Sequence, residues 1–143
     1  MPQPQQDLKN HGRYVPLFHF VLALLLAVNF IHAARKLLPF SAETFYPLSL
    51  ATALLLMFWY VRVFPTTVQD RVIRLEEKLR LEKLAPELSA GFDAFTPKQW
   101  TALRFASDAE LPALARDVLA GKLTNPADIK KAIKHWRSDH LRA

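Results

Sequence analysis

Two stretches decide the fold: residues 14–36, YVPLFHFVLALLLAVNFIHAARK, and residues 45–65, FYPLSLATALLLMFWYVRVFP. No formally charged side chain falls between Tyr14 and Ala34 or between Thr44 and Val61. A helix of about 20 residues, rising about 1.5 Å per residue, crosses a hydrocarbon core of about 30 Å. Both runs come close to that length, and neither keeps the polar stripe that a soluble amphipathic helix shows. Pro16 and Pro47 sit where a first helical turn tolerates proline. The first run leaves through Arg35 and Lys36, and Pro65, which cannot continue a regular helix, is expected to stop the second. Phe58, Trp59 and Tyr60 make an interfacial aromatic belt, with Arg62 placed to snorkel. Residues 35–44, with Pro39 and Ser41, suffice for a tight turn. The expectation is an antiparallel hairpin with spans at about 14–36 and 44–64. A signal peptide has a shorter apolar core, and His32-Ala33-Ala34-Arg35 is a poor cleavage site, so the first run reads as a retained anchor.

Outside the runs the chain is charged, although the average over 143 residues, 51% hydrophobic and 22% charged, looks ordinary. That segregation excludes disorder and collagen-like chains and argues against a single soluble core. The absence of cysteine excludes disulfide scaffolds, thiol nucleophiles and thiolate metal sites. Lys9 and Arg13 precede the runs, and Arg62, Arg71, Arg74, Lys78 and Arg80 follow them, against only Arg35 and Lys36 between. Seven against two, by the positive-inside rule, favours both termini in the cytoplasm.

Residues 66–143 read as a second unit, a cytoplasmic bundle of short helices, beside an N-terminal segment and hairpin over 1–65. Thr66 or Thr67 caps a helix expected to run to about Leu84, where Pro86 ends it. Val68, Val72, Leu75 and Leu79 repeat on it at 4-3-4 spacing, until Glu82 breaks the pattern after barely two heptads. Thr96-Pro97-Lys98-Gln99 and Ser107-Asp108-Ala109-Glu110 are capping boxes. Leu111, Leu114, Ala115, Val118 and Leu119 form an inward face, and Gly121 closes that helix in a left-handed cap. Asn125-Pro126 opens a last helix with Ile129, Ile133 and Trp136 inward. So small a module is marginally stable alone, and its expected neighbours are the bilayer, a second copy or another chain.

Four blocks carry a resemblance. They are Lys9-Asn10-His11-Gly12-Arg13-Tyr14-Val15-Pro16, Gln69-Asp70-Arg71-Val72-Ile73-Arg74-Leu75-Glu76-Glu77, Leu103-Arg104-Phe105-Ala106-Ser107-Asp108-Ala109-Glu110-Leu111-Pro112, and Ile129-Lys130-Lys131 through Trp136-Arg137-Ser138-Asp139. Together they resemble a bacterial family of small two-span membrane proteins known only as a domain of unknown function. The likeness runs from about Lys9 to Arg142 and implies a two-span topology and a bacterial source, and with them a place in a bacterial inner membrane. It offers no catalytic or binding residues to carry over.

Chemistry must therefore come from the residues. His19 and His32, 13 apart, fall about 220° apart on one helix, so they do not form a haem pair. Asn29 and His32 share a face and are candidates for an intramembrane polar contact with the second helix or a partner. His135 and Asp139 can meet on one face, but His140 is rotated away and no HExxH pattern exists, so no metal is expected. Phosphate loops and GxSxG elbows are absent, and adjacent Glu76 and Glu77 diverge on a helix. No enzymatic role and no cofactor is expected.

The net charge of +6 leaves a surplus of only four basic groups beyond Val61, 15 Lys and Arg against 11 Asp and Glu. Lys130, Lys134 and Arg137 are expected along one side of the last helix, a candidate contact for lipid or protein; nucleic acid would need a denser patch with exposed aromatics. The expected function is a membrane-anchored, non-enzymatic interaction protein, an accessory subunit of an inner-membrane complex, with Val72, Leu75 and Leu79 as further candidate contacts. Its expected partners are the bilayer and either another protein or a second copy. The alternative is a membrane-held module that binds anionic lipid or nucleic acid through its basic helices.

Overall fold

The computed structural model describes residues 5–12 and 14–139. It is all-α, with no named strand among the described residues. A π-wound segment, Leu17–Leu22, leads into α1 (Ala23–Arg35), followed by α2 (Ala42–Leu84). A 3-10 segment (Pro86–Ala94), α3 (Pro97–Leu103), α4 (Leu111–Leu119) and α5 (Pro126–Ala132) complete the chain. Its contacts divide into two units: Tyr14–Pro65, and Met1–Arg13 together with Thr66–Ala143. Residues 5–12, ahead of the first apolar run, thus cluster with the helical module, whereas the sequence grouped them with the apolar helices. Arg13 and His140, used in the sequence reading, lie outside the described residues.

In the unit Tyr14–Pro65 the apolar runs of both helices are long and apolar enough to cross a membrane. Its most buried positions are Ala33 and Ala51, 4% and 2% exposed. Small side chains let helix backbones approach closely, and the Phe18 and Phe58 rings stack 4.6 Å apart. Large apolar side chains point outward, among them Leu17, Phe20, Leu24, Leu56, Met57 and Trp59. Ahead of α2, Ser41 N–H donates to Thr44 Oγ1 at 2.9 Å, and Thr44 N–H donates to Ser41 Oγ at 3.2 Å. This reciprocal cap satisfies two of the donors that a helix start leaves open.

Pro65 does not end the second helix. Pro47 and Pro65 both lie inside α2, which continues to Leu84. A proline removes one backbone donor and crowds the preceding turn, a cost of about 3 kcal/mol. In a 43-residue helix one missing bond is outweighed by the ladder on either side.

The second unit packs Leu81 of α2, Phe92 of the 3-10 segment, Ala85 and Phe95 on either side of that segment, and α3, α4 and α5 around one core. Trp100, Leu103, Phe105, Leu111 and Ile129 are fully enclosed. The expected face of α4 is inward, with Leu111, Leu114, Ala115 and Val118 buried. Thr96 and Gln99 form the expected capping box, and Asn125 accepts from Ala127 N–H at the start of α5. Gly121 adopts φ +74°, while Lys122 N–H reaches Asp117 O at 2.9 Å and Gly121 N–H reaches Val118 O at 3.0 Å. That is the Schellman closure a glycine permits.

Two expectations fail together, for one reason. The last helix stops at Ala132, and the following segment runs extended beside Phe105 and Ser107. Ser107 N–H donates to His135 O at 3.1 Å, and Arg137 N–H donates to Phe105 O at 2.7 Å. With its N–H already used, Ser107 has no need of Glu110, so the second capping box does not form. The Glu110 carboxylate instead accepts from the backbone N–H groups of Lys134 and His135, at 3.3 and 3.0 Å.

Candidate functional site

The module carries two unusual surfaces, a charged cleft and an uncovered apolar stripe. The cleft, of about 520 Å³, is walled by Ile73, Glu77 and Arg80 from α2, by Arg104 after α3, and by Arg137 and Asp139 near the end of the described chain. Glu77 and Arg104 are 4% and 3% exposed, a depth charged groups reach only when partnered. Glu77 meets Arg80 at 2.9 Å through one carboxylate oxygen and Arg137 at 3.6 Å through the other. Arg80 also binds Asp108 at 2.6 Å and the Ala106 carbonyl at 2.7 Å. Arg104 pairs with Asp139 at 3.1 Å and lies 4.3 Å over the Phe105 ring. Burial pushes the Glu77 carboxyl above its ordinary value; the Arg80 and Arg137 guanidiniums pull the other way without cancelling it. Acids and bases here neutralise one another in pairs, so the cleft is an ionic clasp tying α2 to the chain on either side of Ala106.

The residues before the apolar run reinforce this clasp. Gln6 N–H donates to Ser138 Oγ at 2.9 Å, and Asp139 N–H donates to Gln6 Oε1 at 2.8 Å. The His11 ring lies 5.5 Å from Phe105 and 5.8 Å from Trp136, with Lys130 Nζ 3.0 Å from its Nε2. The sequence reading missed this strap and the clasp. The available signals were a lone arginine inside the apolar run Leu103-Arg104-Phe105-Ala106, and a glutamate four residues from both Ile73 and Leu81.

Lys130, Lys134 and Arg137 do not form one basic face. Only Lys130 lies in α5, and the extended course after Ala132 sends the other two elsewhere. Lys130 is engaged at His11, Arg137 at Glu77, and Lys134 is exposed. His135 is exposed, and Asp139 is held by Arg104. Among apolar-run residues, Asn29 and His32 both face outward on α1, whose inward positions include Leu26, Phe30 and Ala33. The expected contact with the second helix is therefore not made, because helical phase turns both away. His19 accepts from Val15 N–H at 3.0 Å, a local cap at the helix start.

Val68, Val72, Leu75 and Leu79 stay together on one side of α2, 60%, 49%, 60% and 52% exposed. The module is packed by the opposite side of the helix, through Ile73, Glu77 and Leu81. Arg71, Arg74 and Lys78 border the stripe in a shallow groove. Four apolar side chains in a row, half in water, form a patch that solvated surfaces rarely leave open.

No curated protein and no solved structure matches the chain. The model of a family of unknown function, DUF6526, matches residues 1–143, and the chain belongs to that family.

Proposed function

We propose that this is a membrane-anchored interaction protein with no catalytic role, whose two apolar helices cross a bacterial inner membrane as an antiparallel hairpin and whose helical module docks a protein in the cytoplasm. The observation that carries the reading is the α2 stripe. It is apolar, regular and uncovered on a module whose other apolar residues are largely packed. The hairpin is supported by the outward-facing Leu, Phe and Trp side chains of the first unit, which need an apolar solvent, and by the Phe18–Phe58 stack. Cytoplasmic termini are supported by the lysine and arginine asymmetry across the flanks. The module then serves as an accessory subunit of a membrane complex. The lipid or nucleic-acid alternative loses support because Lys130 and Arg137 are engaged within the module.

Reporter fusions at the C-terminus and in the 39–43 turn test the topology. The expected result is cytoplasmic activity at the first and periplasmic activity at the second; the reverse overturns it. Affinity purification in mild detergent tests docking. Leu75→Asp with Leu79→Asp should remove what co-purifies through this face, a separately tagged second copy of the chain included, and an unchanged profile would sink the docking role.

A further inference from the structure

We infer that the cover for the α2 stripe is the same stripe of a second copy of this chain, packed in parallel, with Arg71 of each copy set against Glu76 of the other. The inference rests on the reading of the stripe as a protein-docking face and names its occupant.

The 4-3-4 spacing assigns Val68 and Leu75 to d positions and Val72 and Leu79 to a positions of a heptad. At about 100° per residue their mean direction lies about 170° from that of Ile73, Glu77 and Leu81. The seam is therefore on the far side of the helix from the module, and two copies can close it without displacing any core contact. Two copies inserted in one membrane with the same topology present this helix in the same direction, which selects the parallel arrangement.

In a parallel pair, the g residue of one helix faces the e residue of the next heptad on the other. Arg71 is such a g residue, and Glu76 is the e residue that follows it. Both are exposed, and neither forms an ion pair among the described residues. The other g–e pair, Lys78 with Lys83, is unfavourable, but Lys78 Nζ is held 3.1 Å from Asp93 of its own module. The next d position is Glu82, which ends the seam. A seam of two heptads is too short to hold two free chains. Anchoring both in one bilayer raises their effective concentration and makes a short seam sufficient. Anionic lipid suits this face less well, because Asp70, Glu76 and Glu82 lie on the same stretch as the basic residues.

The chain has no cysteine, so single-cysteine variants of the full-length protein report proximity in native membranes. Leu75→Cys lies on the seam, and Arg74→Cys, one residue away, lies off it. On mild oxidation Leu75→Cys should run mainly as a disulfide-linked dimer and Arg74→Cys mainly as a monomer. Adding Arg71→Glu to Leu75→Cys should lower the dimer fraction about threefold or more, and adding Glu76→Arg to that should restore it. Equal cross-linking at both positions, or a monomer at Leu75→Cys, overturns the inference. The co-purification assay separates the two failures. A monomeric Leu75→Cys alongside a band lost in Leu75→Asp with Leu79→Asp removes the second copy but leaves the docking face. Failure of both assays removes the docking face as well.

Discussion

α4 and the second half of α2 carry apolar stripes of similar spacing, yet only one of them is covered. On α4, Leu111, Leu114, Ala115 and Val118 all enter the core. On α2, Val68, Val72, Leu75 and Leu79 are exposed, while a more polar face, Ile73, Glu77 and Leu81, meets the module. Apolar periodicity marks a face that must be kept from water; it does not say which neighbour does so. For α4 the neighbour is the chain itself. On α2 the covered side is held by the clasp around Glu77, which leaves the better apolar side for something else.

The largest effect should come from the covered stripe. Leu114→Ala removes a buried side chain from the core and should cost about 2–5 kcal/mol, most of a small module's stability. A thermal melt of the full chain in detergent, followed through the near-UV signal of buried Trp100, should shift far down or vanish. An unchanged melt would mean that this face is not core.

Next comes the clasp that chooses which side of α2 is covered. Arg80→Ala strips Glu77, Asp108 and the Ala106 carbonyl of a shared donor and should cost about 1.5–3 kcal/mol. Glu77 also confers a pH dependence. Burial raises its folded-state pKa above the ordinary 4.5, so the folded form holds the proton more tightly than the unfolded chain does. This group's stabilising contribution is complete below 4.5 and is lost as pH climbs through the raised value. The difference in melting temperature between wild type and Glu77→Gln should therefore move in favour of the variant as pH rises from 4.5. A difference that stays flat with pH would show that Glu77 ionises as freely as in the unfolded chain.

The end of α4 offers a smaller test of the same packed stripe. Gly121 holds φ +74°, and no atom would obstruct an added Cβ, so the cost of Gly121→Ala is purely conformational, about 1–2 kcal/mol. Gly121→Asn, which tolerates that conformation, should recover part of the melting temperature.

Local features of the chain were legible where one residue type has one job. The Thr96–Gln99 box, the Asn125 cap, the Gly121 closure and the inward face of α4 all follow from short-range backbone needs. What could not be read depends on residues distant in sequence. The end of α5 at Ala132 is decided by backbone pairing with Phe105 and Ser107, and that pairing also diverts Glu110 from its expected cap. The clasp joins Glu77 to Arg137 and Arg104 to Asp139, and no local pattern announces either pair. Pro65 misled because it was judged as a local breaker, whereas a long helix absorbs one missing bond. The stripe itself was visible as spacing; its being uncovered was not.

The smallest effect on folding should come from the uncovered stripe, and its smallness is the point. Leu75→Ala trims a side chain already 60% exposed and leaves Ile73, Glu77 and Leu81 on the module untouched. Substitutions at such positions usually move stability by no more than about 0.5 kcal/mol. In detergent dilute enough to isolate single chains, the Leu75→Ala melt should overlay that of the wild type. In membranes, the proposed pairing of two copies predicts that the same change lowers the dimer fraction reported by a seam cysteine such as Val68→Cys. A module destabilised by Leu75→Ala in isolated chains would mean that the stripe is covered from within, and α2 would then resemble α4 after all.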